Sequence, residues 1–265
     1  MSAPGVNGSG TLAGISFERI EEAGLNALQT QRQLFYDGWL LRLSAGKAKR
    51  ARSVNPHFGS TLPLDEKIDH CERIFAQQGL PILFRMTPFV RPAGLGDALA
   101  ARGYIAFDET LVQAAVMQRA PELPEAAPGV TVTAPDAETF VAAVCDLRGS
   151  PPHQREALLE RLLHSPLGKR FVVVRDGDRV VCTAQIAVEG VLAGVFDVVT
   201  ADDVRGRGHA TLACASLLSW AWQHGAHAAY LQVDAANAPA LAIYRRFGFA
   251  TVYTYHYRAR AGEVE

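Results

Sequence analysis

The sequence predicts an α/β (α+β) protein built from two tandem halves, each a mixed, mostly antiparallel sheet flanked by helices. Three observations carry this reading. Short apolar, β-branched runs alternate with stretches of helical periodicity along the whole chain. The segment "RAPELPEAAPGVTVTAPDAE" (119–138) carries four prolines and interrupts that pattern. Landmarks also recur at a near-constant offset: Gly79 and Gly225 lie 146 apart, Gly103 and Gly248 145, Val54 and Val199 145. A repeated offset is the mark of a duplicated supersecondary plan, with coincidence between two halves of one class as the alternative. The expected organisation is a flexible tail over 1–15, a first domain over 16–119, a linker over 120–128 and a catalytic domain over 129–260.

In the first half, "FERIEEAGLNALQTQ" reads as a helix, and "LFYDGWLLRLS" and "KAKRARSVNP" as strands. A helix "LDEKIDHCERIFAQQG", a strand "PILFRMT", a helix "GLGDALAARG" and a strand "YIAFDETLVQAAVMQ" follow. The second half opens with a short strand near Val130 and helices around Thr139–Leu147 and Gln154–Leu163. A meander comes next: "KRFVVVRD", "RVVCTAQIAV" and "VLAGVFDVVT", parted by the turns "DGD" and "EG". A helix in "GHATLACASLLSWAWQHG", a strand "AAYLQVD", a helix "NAPALAIYRRFG" and a strand "FATVYTYHYR" complete it.

Composition narrows the function. The chain has 265 residues, is 49% hydrophobic, and balances 26 basic against 27 acidic residues. That balance offers no electrostatic footprint for nucleic acid or an anionic membrane. No apolar run approaches the roughly 20 residues of a membrane span, and "MSAPGVNGSGTLAG" lacks the regions of a signal peptide, so a cytoplasmic protein is expected. Cys71, Cys145, Cys182 and Cys214 show no C-x-x-C spacing and read as small core residues. His224 and His227 straddle Gly225 without a third ligand, so no metal is expected. "KAKRAR" (47–52) reads as a solvated or edge-protecting face, and Trp39, Trp220 and Trp222 as packing residues.

Two stretches carry chemistry. "VRGRGHA" (204–210) lies between a strand and a long helix, where glycines let backbone N–H groups converge and the helix N-terminus adds positive potential. A glycine-rich turn with solvated arginines is the plainer reading of that segment alone. In "NAPALAIYRRFGF" (237–249), Asn237 and Tyr244 are seven residues apart and share one helix stripe.

Taken together, "RGRGHA" fits Arg/Gln-x-x-Gly-x-Gly/Ala and "NAPALAIYRRFGF" fits Asn-x-x-Ala-x-x-x-Tyr-x-x-x-Gly-Phe. In this order, after a three-stranded meander, they resemble the GNAT acetyltransferase superfamily over about Gly129 to Arg258. The first half looks like the degenerate first domain of two-domain members. The resemblance implies acetyl-CoA as co-substrate and a gap between two splayed strands that takes the pantetheine arm. Backbone groups of Val198, Val199 and Thr200 would meet that arm. N–H groups of Arg205, Gly206, Arg207, Gly208, His209 and Ala210 would hold the pyrophosphate. Asn237, with Ala240 of the same motif, would orient the cofactor, and Tyr244 would protonate the departing thiolate. An N-cap role for Asn237 and a core-phenol role for Tyr244 are the alternatives.

The general base is less defined. Some relatives place a Glu where this chain has Gln232, which cannot take a proton. Asp197 is the substitute in reach, with partnership to a buried arginine as its alternative and a water chain as a third option. The expected activity is N-acetyl transfer to a primary amine of a small molecule or peptide. Neither nucleic acid nor membrane is an expected partner, and a homodimer is allowed. The rivals are a non-catalytic acyl-CoA-binding sensor and a two-domain interaction protein in which the glycines only make turns. "HFGSTLPLD" (57–65), the first half's counterpart of the cradle, has no Gly-x-Ala step, so one CoA per chain is expected.

Overall fold

The computed structural model describes residues 10–263. Of the expected tail, residues 1–9 lie outside the described residues. The rest is not a tail: Thr11–Leu12 (β1) and Ile15–Ser16 (β2) form a hairpin. Leu12 and Ile15 pack against a buried cluster, and this apolar anchorage holds the segment in place.

Helix α1 (Phe17–Asn26) starts where the Ser16 hydroxyl accepts from the Arg19 N–H at 3.2 Å. The expected strand "LFYDGWLLRLS" is a hairpin of β3 (Gln33–Tyr36) and β4 (Trp39–Arg42), because Asp37 and Gly38 both take positive φ and turn the chain. "KAKRAR" departs from expectation. It forms a loop and a 3-10 turn (Lys49–Ala51), and only Val54–Asn55 (β5) is strand. The half continues with α2 (Leu64–Gln77), β6 (Phe84–Met86), α3 (Leu95–Ala101) and β7 (Tyr104–Val116).

Residues 120–127 carry no regular structure. Beyond them come β8 (Val130–Thr133), α4 (Ala137–Arg148) and α5 (Pro152–Leu163). Asp136 caps α4 by accepting from the Thr139 N–H, and Gly149 closes it in the left-handed conformation. The meander is β9 (Gly168–Asp176), β10 (Arg179–Glu189) and β11 (Leu192–Thr200). Helix α6 (His209–Gln223), β12 (Ala228–Asp234), α7 (Ala238–Arg245) and β13 (Ala250–Arg260) end the chain.

Eleven strands make one sheet, in the order β3-β4-β5-β6-β13-β7-β12-β11-β10-β9-β8. The halves exchange their last strands: β13 lies between β6 and β7, and β7 pairs with β12. Two sheets expected side by side are thereby stitched into one. Parallel pairing occurs at β5–β6 and β11–β12, each bridged by a crossover helix as parallel strands require. Those helices, α2 and α6, start 145 residues apart (209 − 64).

Where the halves meet, Glu21 is buried and ion-paired to the equally buried Arg85, and the Tyr253 hydroxyl donates to Glu21 Oε2 at 2.7 Å. This pins α1 to the strands β6 and β13.

Candidate acetyl-transfer site

Strand β11 is bulged where the sheet opens. On β10, Gln185 opposes Phe196 and Thr183 opposes Val199, so three steps on β11 face two on β10. Asp197 takes φ +50° to absorb the extra residue, a conformation that Asp tolerates better than most residues. On its other edge β11 pairs with β12 only over Leu192–Val195, and the two strands then run on without a ladder. The opening is a cavity of about 620 Å³.

Helix α6 points its N-terminus at this cavity. Gly206 and Gly208 sit at φ +79° and +85°, where an L side chain is strained, and no side chain caps the helix. Among the described residues, the backbone N–H groups of 206–211 donate to no protein acceptor. A run of free donors at a helix N-terminus is a seat for phosphate oxygens.

The cavity brings together Asp197, Val198, Val199, Thr200, Arg205, Gly206, Gly208, His209, Ala210, Asn237, Ala240 and Tyr244. Arg207 is the exception: it is exposed and does not line the cavity, because the turn before α6 directs it outward. Asn237 also fills its plainer role, since its Oδ1 accepts from the Ala240 N–H at 3.2 Å. The Tyr244 ring packs against Phe249 in the core while lining the cavity. Burial pushes the phenol well above its usual pKa, with Cys214 and Cys182 adding to the effect, so it remains protonated at neutral pH.

Asp197 matches the ion-pair alternative rather than the base. Burial raises its pKa, but Arg148 and Arg161 outweigh burial and bring it down to about 2. Arg148 donates to Oδ1 at 2.7 Å, Arg161 stands 4.0 Å from Oδ2, and the Gln185 amide also donates to Oδ2. A carboxylate so stabilised is a poor proton acceptor. Asp197→Asn is therefore expected to destabilise the fold by about 3–5 kcal/mol in urea titrations, because it takes the counter-charge from the nearly buried Arg161 and the part-exposed Arg148. Any residual transfer should keep the acidic limb of the wild-type pH profile near neutrality. With the folded-state pKa depressed, the stabilisation from Asp197 is present above pH 3.8 and is lost as pH falls toward about 2.

In the first half, protein atoms take up part of the equivalent places. At the mouth of α2 the Asp37 carboxylate accepts from the Thr61 and Leu62 N–H groups at 2.9–3.0 Å and from the Thr61 hydroxyl at 2.7 Å. The Leu62 N–H, then the Thr61 hydroxyl, hold its pKa far below the usual carboxylate range. Beyond the β5–β6 pair, the Arg91 N–H donates to Pro56 O at 3.0 Å, spanning the line along which β11 and β12 stay open.

Sequence reasoning passes over Arg148 and names Gln232 only as an unsuitable base. Both line the cavity, and both amide atoms of Gln232 are buried without a partner. The two arginines that hold Asp197 sit in "DLRG" and "LERL", where helical charge spacing reads as solvated surface.

The family model for "Probable histone acetyltransferase Rv0428c C-terminal" matches residues 16–259. The chain belongs to this family. It is thus a GNAT-superfamily N-acetyltransferase, an acyltransferase. It is 26% identical over 224 residues to an uncharacterised N-acetyltransferase of Bacillus subtilis (strain 168), YobR, covering 84% of this chain and 90% of that one. In fold it is similar to a GCN5-related N-acetyltransferase from Kribbella flavida, with a TM-score of 0.67 at 20% identity, over 92% of this chain and 95% of the other. It is likewise similar to a tandem GNAT protein from the clavulanic acid biosynthesis pathway, with a TM-score of 0.59 at 14% identity, over 73% and 68% of the two chains. Among the described residues no helix is long and apolar enough to cross a membrane, and no cluster of potential metal ligands occurs.

Proposed function

We propose that this acyltransferase moves the acetyl group of acetyl-CoA directly to the primary amine of a small molecule or peptide. The observation that carries the reading is the free row of N–H groups at residues 206–211, opening into the gap between β11 and β12. The pyrophosphate would rest on that row, and the pantetheine would lie along Val198–Thr200 as an added strand. The thioester C–S bond breaks as the amide C–N bond forms. The amine's proton leaves through a water chain to solvent; the thiolate gains one from Tyr244 in this reading, and solvent restores the phenol's proton. Backbone N–H groups beside the Asp197 bulge would receive the developing oxyanion.

The chain is read as a duplicated GNAT plan over 16–119 and 129–260, with the cofactor seat retained only in the second half. Calorimetry with CoA should saturate at one per chain, since Asp37 takes the Thr61 and Leu62 N–H groups ahead of α2 and Pro63 offers none. A panel of amines with acetyl-CoA should yield products heavier by one acetyl group. CoA binding without transfer to any amine would favour the sensor reading, and saturation at two CoA would refute the inactive first half.

A further inference from the structure

A second cavity of about 240 Å³ adjoins the first, sharing Arg148 and Asp197 with it. Its walls come from α4 and α5, and from Gly46–Ala48 of the first half. This is smaller than the roughly 300–1,000 Å³ of drug-sized sites, so whatever fills it is small.

The charge around it does not balance. Arg148 and Arg161 converge on Asp197, the one carboxylate in its wall. Arg50 lines neither cavity and makes no ion pair among the described residues; its guanidinium, within electrostatic reach of Arg161, lies 5.7 Å from the centroid of the Phe196 ring, which lines the larger cavity. Lys169 donates to Ala27 O at 3.4 Å and has no carboxylate partner among the described residues. Nearby Arg42 is spent on neutral acceptors, Gln33 Oε1 and Leu28 O. Three carboxylates of the surrounding elements are already paired: Glu21 by Arg85 and Tyr253, Glu189 by Arg19 and Asn26, Asp108 by Lys49.

Two guanidinium nitrogens, Arg50 Nη1 and Arg161 Nε, are buried with no hydrogen-bond partner. An unpaired buried charged donor is costly, and an arriving anion relieves that cost. Lys169 reports the field: burial, then Arg161, push its pKa down to about 8.

We propose that the acceptor is a small primary amine bearing its own carboxylate, which is seated on Arg50 and Arg161 while the amine faces the acetyl end of the larger cavity. The carboxylate suits the guanidinium fork, and the surplus positive charge repels basic polypeptide tails. The amine half of this proposal rests on the acetyl-transfer reading; the carboxylate half rests on the arginines alone.

The test is calorimetry on the CoA-saturated protein with N-acetyl amino acids and their matched C-terminal amides. The acids should bind about ten- to a hundredfold more tightly than the amides. In Arg50→Met, which keeps the apolar stem over Phe196, that ratio should fall to near one with unchanged CoA affinity. If Arg50→Met does not fold, Lys169→Met supplies the second variant and should lower the ratio several-fold. Equal affinity of acids and amides, or no binding by any acid up to about 10 mM, overturns the proposal. Acid preference in binding with no transfer to any amine would remove the acetyl-transfer reading and leave the carboxylate seat. Transfer to amides and basic peptides without acid preference would do the reverse.

Discussion

Gly208→Asp is expected to lower CoA affinity by about three orders of magnitude while leaving the protein folded. Nothing lies within 4 Å of a Cβ built on Gly208, so the new side chain meets no neighbour and enters the open cradle. Its carboxylate would stand among the free N–H groups of residues 206–211, as Asp37 does at the mouth of α2. Two unit charges about 4 Å apart at an effective dielectric near 20 repel by about 4 kcal/mol, which corresponds to the stated loss against a pyrophosphate. The left-handed φ of +85° opposes the substitution by about 1–2 kcal/mol, and the gain of an N-cap offsets part of it. Calorimetry reads the affinity and circular dichroism the fold. Wild-type affinity in a folded variant would mean that the pyrophosphate sits elsewhere.

Tyr244→Phe should lower kcat by about 10²- to 10⁴-fold, the range of general acid catalysis, with CoA affinity nearly unchanged. The substitution keeps the ring against Phe249 and removes only the hydroxyl, which has no protein hydrogen-bond partner among the described residues. A free thiol has a pKa near 8.5 and burial lifts the phenol well above its usual 10, so donation to a thiolate is uphill in isolation. The sulfur develops its charge in the same poorly solvated cavity, which raises the thiol pKa as well and narrows the gap. Single-turnover kinetics and CoA titration on one preparation measure both quantities. A loss of only a few-fold would assign the proton to water and leave Tyr244 as a wall. Lost CoA binding with an early melt would make it a core phenol.

Local pattern made most of the second half legible. Period-two and period-3.6 runs place β9 to β13, α6 and α7 within a few residues, because each apolar face answers one adjacent layer. The cradle could be read for a similar reason: a positive-φ glycine before a helix creates free N–H groups through backbone geometry alone. The resemblance to the superfamily then named the partners of that geometry, and the cavity gathers all of them except Arg207. Where spacing alone was used on charged segments it misled, as with "KAKRAR", because solvation and burial leave the same local charge pattern.

Non-local pairing lay beyond the sequence. The exchange of β7 and β13 pairs residues more than 100 positions apart, and both strands carry patterns equally suited to closing their own half. Asp197 was ambiguous between base and ion-pair partner because a carboxylate in an apolar strand states only that a partner is required. Arg148 and Arg161, from two other helices, decided the matter through distance. Backbone conformation and neighbours within two turns sufficed to read the α/β class, the glycine turn that opens α6 and the Asn237–Tyr244 stripe from the chain alone. The single exchanged sheet, the hold of Asp37 on the Thr61 and Leu62 N–H groups and the unbalanced arginines emerge only in three dimensions, since each depends on energies between groups far apart in sequence.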